Sequence, residues 1–202
     1  MIKEIESKPM SGYLMLLINF LLHIFLIAMI VRGVAAAAQP SPENEAALPL
    51  IAVGVVGSLV VLFLDKGFFL VNPNQGKVLQ LFGTYVGTAK DTGLRYANPF
   101  YSKRRVSLRV RNFESGKLKV NELGGSPIEI AAVVVWRVVD TAEAIFEVDD
   151  YNEFVKIQSE SALRVMTSTF PYESSEDEIT LRGSPQEIAT ALKAQIQDRL
   201  EK

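Results

Sequence analysis

The chain has 202 residues, a formal net charge of −2, no cysteine and a single histidine. A chain of this length has room for a membrane anchor and about one folded domain with a core of its own. The lack of cysteine excludes disulfides, thiol nucleophiles and thiolate metal sites, and one histidine argues against a triad or a multi-His metal site. We therefore expect no catalytic site, no metal and no cofactor, and the balanced charge predicts no nucleic-acid partner.

Two apolar segments without formal charge, Tyr13–Val31 and Ala46–Leu64, lie in the first third of the chain. As helices rising about 1.5 Å per residue, each would span about 28 Å, close to the ~30 Å thickness of the hydrocarbon core. They predict two transmembrane helices, with a tail at residues 1–12 before them and a linker at residues 32–45 between them. The alternative, two buried helices of a soluble core, is disfavoured by the length of the uncharged runs.

The first segment also admits interpretation as a cleaved signal peptide. Lys3 and Lys8 precede it, and Ala35–Ala38 supply the small residues of a cleavage site. Against cleavage, the segment is longer than an ordinary signal-peptide core, and Arg32 lies inside the would-be cleavage region. Both interpretations predict a cytoplasmic domain, because basic residues follow the second segment.

Four residues of the apolar segments are candidates for helix–helix contacts. Asn19 and His23 lie four positions apart and share one helical face, and polar groups in hydrocarbon usually turn toward another helix. Gly54 and Ser58 form a small-xxx-small pair, which allows close helix approach.

From Lys77 the pattern changes to short strands bounded by turn residues. The predicted strands are Val78–Phe82, Tyr85–Val86, the alternating run Val106–Val110, and Leu118–Val120. The longer run Ile128–Val139 is apolar on both faces through Ala131–Trp136, which is typical of a central strand.

Helix start signals follow the strands. Asp140, Asp150 and Ser184 each stand three positions before a Glu, and Pro185 strengthens the last signal. Ile188, Leu192, Ile196 and Leu200 then repeat at every fourth position. Antiparallel strands followed by helices predict an α+β domain.

Charge is divided along this domain, with 12 Lys/Arg against 4 Asp/Glu from Lys66 to Arg137 and 6 against 14 from Val138 to Lys202. Within the basic half, aromatic and basic residues stand together as candidates for a membrane interface: Phe100, Tyr101, Lys103, Arg104 and Arg105. Two alternatives stay open. Phe100 could be a core residue that closes the sheet, and basic residues such as Arg109 and Arg111 could simply line a solvated strand face.

The order of several short motifs resembles the SPFH (band 7) domain of stomatins, prohibitins and flotillins. No single motif is specific, but their order covers residues 68–202. The motifs are Val71–Gln75, Leu81–Gly83, Gly93–Arg95, Asn98–Phe100, Ile128–Asp140, Ala162–Arg164 and Arg182.

The resemblance implies a non-enzymatic membrane scaffold, of bacterial inner- or plasma-membrane type, that oligomerises and organises lipid microdomains. It also implies partners such as membrane-bound proteases, and ring closure through a C-terminal coiled coil outside this sequence. Two departures are a second anchor segment and the acidic insert Phe170–Glu178.

A channel or transporter subunit is the alternative function. An enzyme would need a pair such as Ser159 or Ser161 with Lys156, although serines on an amphipathic helix are usually surface or contact residues.

Overall fold

The computed structural model describes residues 2–38, 47–174 and 178–201. Half of the predicted linker (residues 39–45) and residues 175–177 of the acidic insert therefore lie outside the described residues. The chain divides into two compact units, Lys3–Leu108 and Arg109–Lys202, with the first two residues belonging to the second.

The first unit contains the two long helices, α1 (Gly12–Ala37) and α2 (Ala47–Leu64). Both are long and apolar enough to cross a membrane, judged by length and composition. Helix α1 continues through Arg32 to Ala37, beyond the predicted uncharged segment, because arginine and alanine are among the strongest helix formers. A single 3-10 turn, Asp65–Gly67, follows α2 and leads into the sheet.

The described residues of the first unit also contain six strands, which form two three-stranded antiparallel sheets in the orders β1-β5-β2 and β4-β3-β6. Their bounds are β1 Met10–Ser11, β2 Phe68–Val71, β3 Gln75–Leu81, β4 Thr84–Ala89, β5 Gly93–Tyr96 and β6 Tyr101–Ser107. Alternation of side chains across the strands buries one apolar set, which forms a core of Phe69, Val71, Leu79 and Ala89.

In the second unit the structure describes two antiparallel strand pairs, β10-β7 and β8-β9, and three helices. The elements are β7 Arg111–Glu114, β8 Leu118–Asn121, β9 Pro127–Ile130, β10 Val133–Trp136, α3 Thr141–Phe146, α4 Tyr151–Thr169 and α5 Pro185–Leu200. Leu163 and Met166 of α4 and Ile188 of α5 form its buried core. Antiparallel sheets and helices together confirm the predicted α+β class.

The prediction of one central strand over Ile128–Val139 is wrong. The run is divided into β9 and β10, which pair with different partners, β8 and β7. The division falls at Ala132, whose N–H donates to Ser115 Oγ at 2.9 Å while the Ser115 N–H donates to the Ala132 carbonyl. Val133 and Val135 of β10 are exposed, so apolar character on both faces did not indicate burial here. The run Val106–Val110 is likewise divided, since β6 ends at Ser107 and β7 begins at Arg111.

All three helices begin where the sequence predicts, but only α3 and α4 have the expected side-chain cap. The Asp140 carboxylate accepts hydrogen bonds from the N–H groups of Ala142 and Glu143, and Asp150 caps α4 in the same way. At α5 the Ser184 hydroxyl instead lies 3.5 Å from the N–H of Thr180, upstream of the helix.

Arg111 joins the β7–β10 pair to the start of α4. Its guanidinium lies 5.5 Å from the Trp136 ring centroid and 5.2 Å from that of Tyr151. It also donates to the Asn152 side chain. Cation–π contacts contribute about 0.5–1 kcal/mol each at exposed sites, so Arg111 has a structural role within this unit.

Glu122 organises the turn between β8 and β9 and also holds the start of the acidic insert. Its carboxylate accepts hydrogen bonds from the N–H groups of Gly124 at 2.8 Å, Ser126 at 3.0 Å and Tyr172 at 3.2 Å. These donors, Gly124 first, lower the pKa of Glu122 below its ordinary value. A group whose pKa is lowered by folding stabilises the folded state above its unfolded pKa, and that contribution disappears as the pH falls through the folded pKa.

We predict that Glu122→Gln lowers the thermal unfolding midpoint at neutral pH, because a neutral amide accepts these N–H groups less strongly than a carboxylate. The difference from the parent chain should narrow as the pH falls and Glu122 becomes protonated. Glu129→Gln is the matched control, since Glu129 lies on the neighbouring strand β9 in an exposed pair with Lys119. A difference that stays constant from neutral to acidic pH would contradict the assigned role of the Glu122 charge.

Candidate membrane-facing site

Helices α1 and α2 pack antiparallel at close range, and glycines lie where they touch. A Cβ placed on Gly54 would lie 2.5 Å from Ile30 Cγ1 and 3.2 Å from the Leu26 carbonyl oxygen. One placed on Gly33 would lie 2.7 Å from Ile51 Cγ1. The absence of side chains at these glycines therefore lets the two helices approach closely.

A polar cluster joins the helices at the level where α2 ends. Asn19 Nδ2 donates to Asp65 Oδ1 at 2.7 Å, and the Asn19 side chain is only 5% exposed. His23 Nδ1 lies 2.9 Å from the Asn19 carbonyl oxygen, and its Nε2 lies 3.9 Å from Asp65 Oδ2. Sequence reasoning missed Asp65, although it is the first charge after the second apolar run.

Of the predicted pair Gly54 and Ser58, the structure shows only Gly54 in contact with the other helix. Gly54 faces α1, whereas the Ser58 hydroxyl donates to the Gly54 carbonyl at 2.7 Å within α2 itself. The structure thus places Asn19, His23 and Gly54 between the two helices of one chain. The assignment of Ser58 to a helix contact stays a prediction.

Tyr96 of β5 ties the sheet to the end of α2. Its hydroxyl donates to the Leu64 carbonyl at 3.2 Å, and its ring packs edge-on against Phe68 with centroids 4.9 Å apart. Burial, and then the nearby charge of Asp65, raises the pKa of Tyr96 above its ordinary value.

Three phenylalanines from separate elements meet beside the end of α2. The Phe100 ring centroid lies 5.0 Å from that of Phe63 on α2 and 6.0 Å from that of Phe82 in the β3–β4 turn. Phe100 is 55% exposed and Phe82 is 84% exposed. Phe100 therefore belongs to an exposed aromatic cluster, Phe63–Phe82–Phe100, rather than to the core.

Sequence reasoning missed two residues of this cluster, Phe63 in α2 and, in the turn, Phe82. It stands at the tip of the hairpin in a left-handed conformation, with φ of 48°, and Gly83 follows with φ of 92°. A non-glycine residue in this region costs about 1–2 kcal/mol, and two-residue hairpins usually place Asn or Asp there. Its exposure could have been inferred from the Phe-Gly pair between two strands, which marks a turn.

The five predicted interface residues do not form one patch. Tyr101 packs against the core cluster, and Lys103 Nζ donates to the Lys66 carbonyl at 2.5 Å while lying 5.5 Å from the Phe69 ring centroid. Burial, and then the charge of Lys77, lowers the pKa of Lys103. Arg104 and Arg105 are both exposed, but as neighbours on β6 they point to opposite faces.

The side chains of the candidate Ser–Lys pair have other partners. The buried Ser159 hydroxyl donates to the Val155 carbonyl at 2.7 Å, and Ser161 Oγ accepts from Arg199 Nη1 at 3.1 Å. Within the described ranges, no group of three or more His, Asp or Glu side chains is arranged to hold a metal ion.

Comparison with known proteins agrees with this architecture of an apolar helix pair followed by antiparallel sheets and helices. The sequence model of the SPFH domain / Band 7 family matches residues 69–202, which is most of the chain. This protein belongs to the SPFH domain / Band 7 family.

A curated relative is an uncharacterised protein of the archaeon Methanocaldococcus jannaschii. It is 25% identical over 113 residues, which are 55% of this chain and 56% of the relative. The match thus covers little more than half of either protein. Family membership supports a general scaffold-type role at membranes, where members are generally oligomeric and non-enzymatic.

We predict that Gly54→Val disrupts the helix pair, because the added side chain would meet Ile30 and the backbone of α1. Overpacking of a close contact costs about 1–3 kcal/mol. The measurement is unfolding of the chain in mixed micelles at increasing SDS fraction, followed by circular dichroism.

Ala52→Val is the matched control, since Ala52 lies on α2 and is exposed. This variant adds a similar apolar volume away from the contact and should unfold like the parent chain. Equal behaviour of Gly54→Val and Ala52→Val would show that Gly54 does not determine the packing of the helices.

Proposed function

We propose that this protein is a membrane-anchored scaffold. In this proposal α1 and α2 span the bilayer, and the aromatic cluster Phe63–Phe82–Phe100 seats the following sheets at the membrane surface. The observation that carries the proposal is that the exposed Phe100, between β5 and β6, lies against both Phe63 of α2 and the exposed Phe82 of the β3–β4 turn.

Hydrophobic exposure supports this placement of the two turns that carry Phe82 and Phe100. Phe82 and Phe100 would expose large apolar area to water in a free domain, whereas the bilayer interface is where aromatic rings concentrate. The strained backbone of Phe82 adds to this argument, because strain retained at an exposed position often accompanies function.

Cationic groups next to the cluster fit anionic headgroups. Lys66 Nζ lies 5.3 Å from the Phe63 ring centroid, and Arg104 and Arg105 are exposed on the strand that follows Phe100. Each basic residue near an anionic membrane surface contributes about 1 kcal/mol of attraction. We therefore propose that Arg104 and Arg105 contact anionic headgroups. Lys103 keeps a proposed role at the interface as well, although its side chain already contacts the Lys66 carbonyl and the Phe69 ring.

A cytoplasmic location of the domain is part of the proposal, on the positive-inside argument. The channel or transporter alternative would use the polar side chains of α1. Asn19 and His23 are engaged with Asp65 and with the α1 backbone, which favours a structural role for both.

The seating of the hairpin tip can be tested with a single fluorophore. We predict that Phe82→Trp, introduced together with Trp136→Phe, gives blue-shifted emission in reconstituted vesicles and is quenched by lipids brominated near the headgroup. Leu123→Trp in the same Trp136→Phe background is the control, since Leu123 is exposed in a turn of the second unit. Water-like, unquenched emission from residue 82 would contradict seating of this turn at the interface.

The second part of the proposal is that copies of this protein associate with each other through residues outside the membrane anchor. The basic stretch Lys66–Arg137 and the acidic stretch Val138–Lys202 have opposite net charge, which favours contacts between copies. The apolar residues that repeat at every fourth position of α5 pack within this chain, since Ile188 and Ile196 are buried. They are therefore not the surface through which copies associate. A coiled coil that closes the ring, and a membrane-bound protease as partner, are proposed from the family resemblance.

We predict that these 202 residues, purified in detergent, sediment as monomers or small species whose association weakens as salt is raised. The reason is that opposite charges attract weakly when they are exposed and screened. A discrete closed ring formed by this chain alone, measured by sedimentation velocity, would contradict the coiled-coil requirement.

Failure of a membrane-bound protease to comigrate in blue-native gels of the native membrane would contradict the protease proposal.

A further inference from the structure

The residues before α1 form an extended segment, the N-terminal strap (Lys3–Ser11), that lies on the sheets of the first unit. Its middle runs beside β4, where the Ser7 N–H donates to the Thr88 carbonyl at 2.9 Å. The Thr88 N–H donates in turn to the Ile5 carbonyl at 2.8 Å. Glu6 and Thr88 thus form a parallel β-bridge.

The end of the strap is β1, which adds a strand to the sheet that contains β5 and β2. Met10 pairs with Tyr96 and Ser11 pairs with Arg95, antiparallel to β5. Strand β5 consequently lies between β1 from before the helix pair and β2 from after it.

Side chains make the fit of the strap specific. The Ile5 N–H donates to the Tyr85 hydroxyl at 3.1 Å, and Glu4 forms an ion pair with Lys90. A Cβ on Gly87 would lie 3.0 Å from both the Ile5 carbonyl oxygen and Ser7 Cβ, which is tighter than an ordinary contact, and the φ of 154° at this position also favours glycine.

The strap covers strand edges that would otherwise be bare. In its sheet β4 is an edge strand, and without β1 so would be β5. Unpaired edges expose rows of N–H and C=O groups that pair with other chains. Main-chain hydrogen bonds from an added strand satisfy these groups.

We infer that the strap is the strand-donating partner of this sheet edge, and that α1 is therefore retained, with the N-terminus on the same side of the bilayer as the sheets. Hydrogen bonds between the strap and β4 or β5 cannot form across a hydrocarbon core. Both ends of the α1–α2 pair must then reach one membrane surface. Cleavage after α1 would remove the strap and leave both edges unpaired.

This topology follows whatever the distribution of basic residues and whether or not the protein is a scaffold. It rests on pairing of the backbone alone, so it applies whichever side of the membrane carries the domain. It also selects between the two interpretations of the first apolar segment, since a cleaved signal peptide could not supply β1.

The lack of native cysteine makes a labelling experiment direct. Single variants Lys3→Cys in the strap, Thr92→Cys between β4 and β5, and Ser41→Cys between the apolar segments are expressed as the full chain. They are labelled with a membrane-impermeant maleimide in right-side-out and inverted vesicles. We expect the Lys3→Cys and Thr92→Cys variants to react from one side and the Ser41→Cys variant from the other. Reaction of the Lys3→Cys and Thr92→Cys variants from opposite sides, or a mature chain that has lost residues 1–38, would overturn the inference.

Strand pairing is tested separately by crosslinking. Ser11→Cys with Arg95→Cys joins partners in the β1–β5 register and should form a disulfide on mild oxidation in membranes. Ser11→Cys with Arg104→Cys, on a strand of the other sheet, is the matched control and should not. Lack of crosslinking in both pairs would overturn the pairing.

A proline substitution then links pairing to its hydrogen bonds. Ser7→Pro removes the N–H that donates to Thr88, whereas Ser7→Ala keeps it. In the Ser11→Cys, Arg95→Cys background we expect Ser7→Pro to slow disulfide formation several-fold and Ser7→Ala to leave it unchanged. Equal rates in the two variants would show that the strap is not held by its bond to Thr88.

Discussion

The backbone pairing of residues before α1 with strands after α2 is the constraint on which the first unit depends. Ile5 and Ser7 bind Thr88, and Ser11 pairs with Arg95, so the sheets receive chain from both ends of the helix pair. The same unit contains the antiparallel contact of α1 with α2, in which Gly54 meets Ile30. A helix pair whose two ends are held by one sheet has little freedom to slide or rotate.

The polar groups at the base of the helix pair are consistent with that constraint. Asn19 is buried and would lose a hydrogen bond in hydrocarbon, and Asp65 supplies it at the level where α2 ends. The Tyr96 hydroxyl then donates to the Leu64 carbonyl, at the point where α2 ends and the 3-10 turn begins. The helices, the 3-10 turn and β5 are thereby joined by hydrogen bonds rather than by apolar packing alone.

The second unit relies on different interactions. Arg111 lies against two aromatic rings to join strands to α4, and Glu122 gathers three N–H groups to hold a turn and the start of the insert. Both are charged groups with several partners, which fix geometry where the strands are short. This unit also exposes Val133 and Val135 of β10, although their run in the sequence is uniformly apolar.

The sequence by itself determined the two apolar helices, the α+β class, the family and the starts of α3 and α4, because these depend on local composition, periodicity and capping residues. Only the tertiary structure decided that Ile128–Val139 divides at Ala132, that Phe63 and Phe82 both lie against Phe100, and that the strap pairs with β5. Each of these depends on partners distant in the chain. Strand pairing and ring contacts are set by which surfaces meet, and a periodic pattern states which face is apolar without stating what covers it.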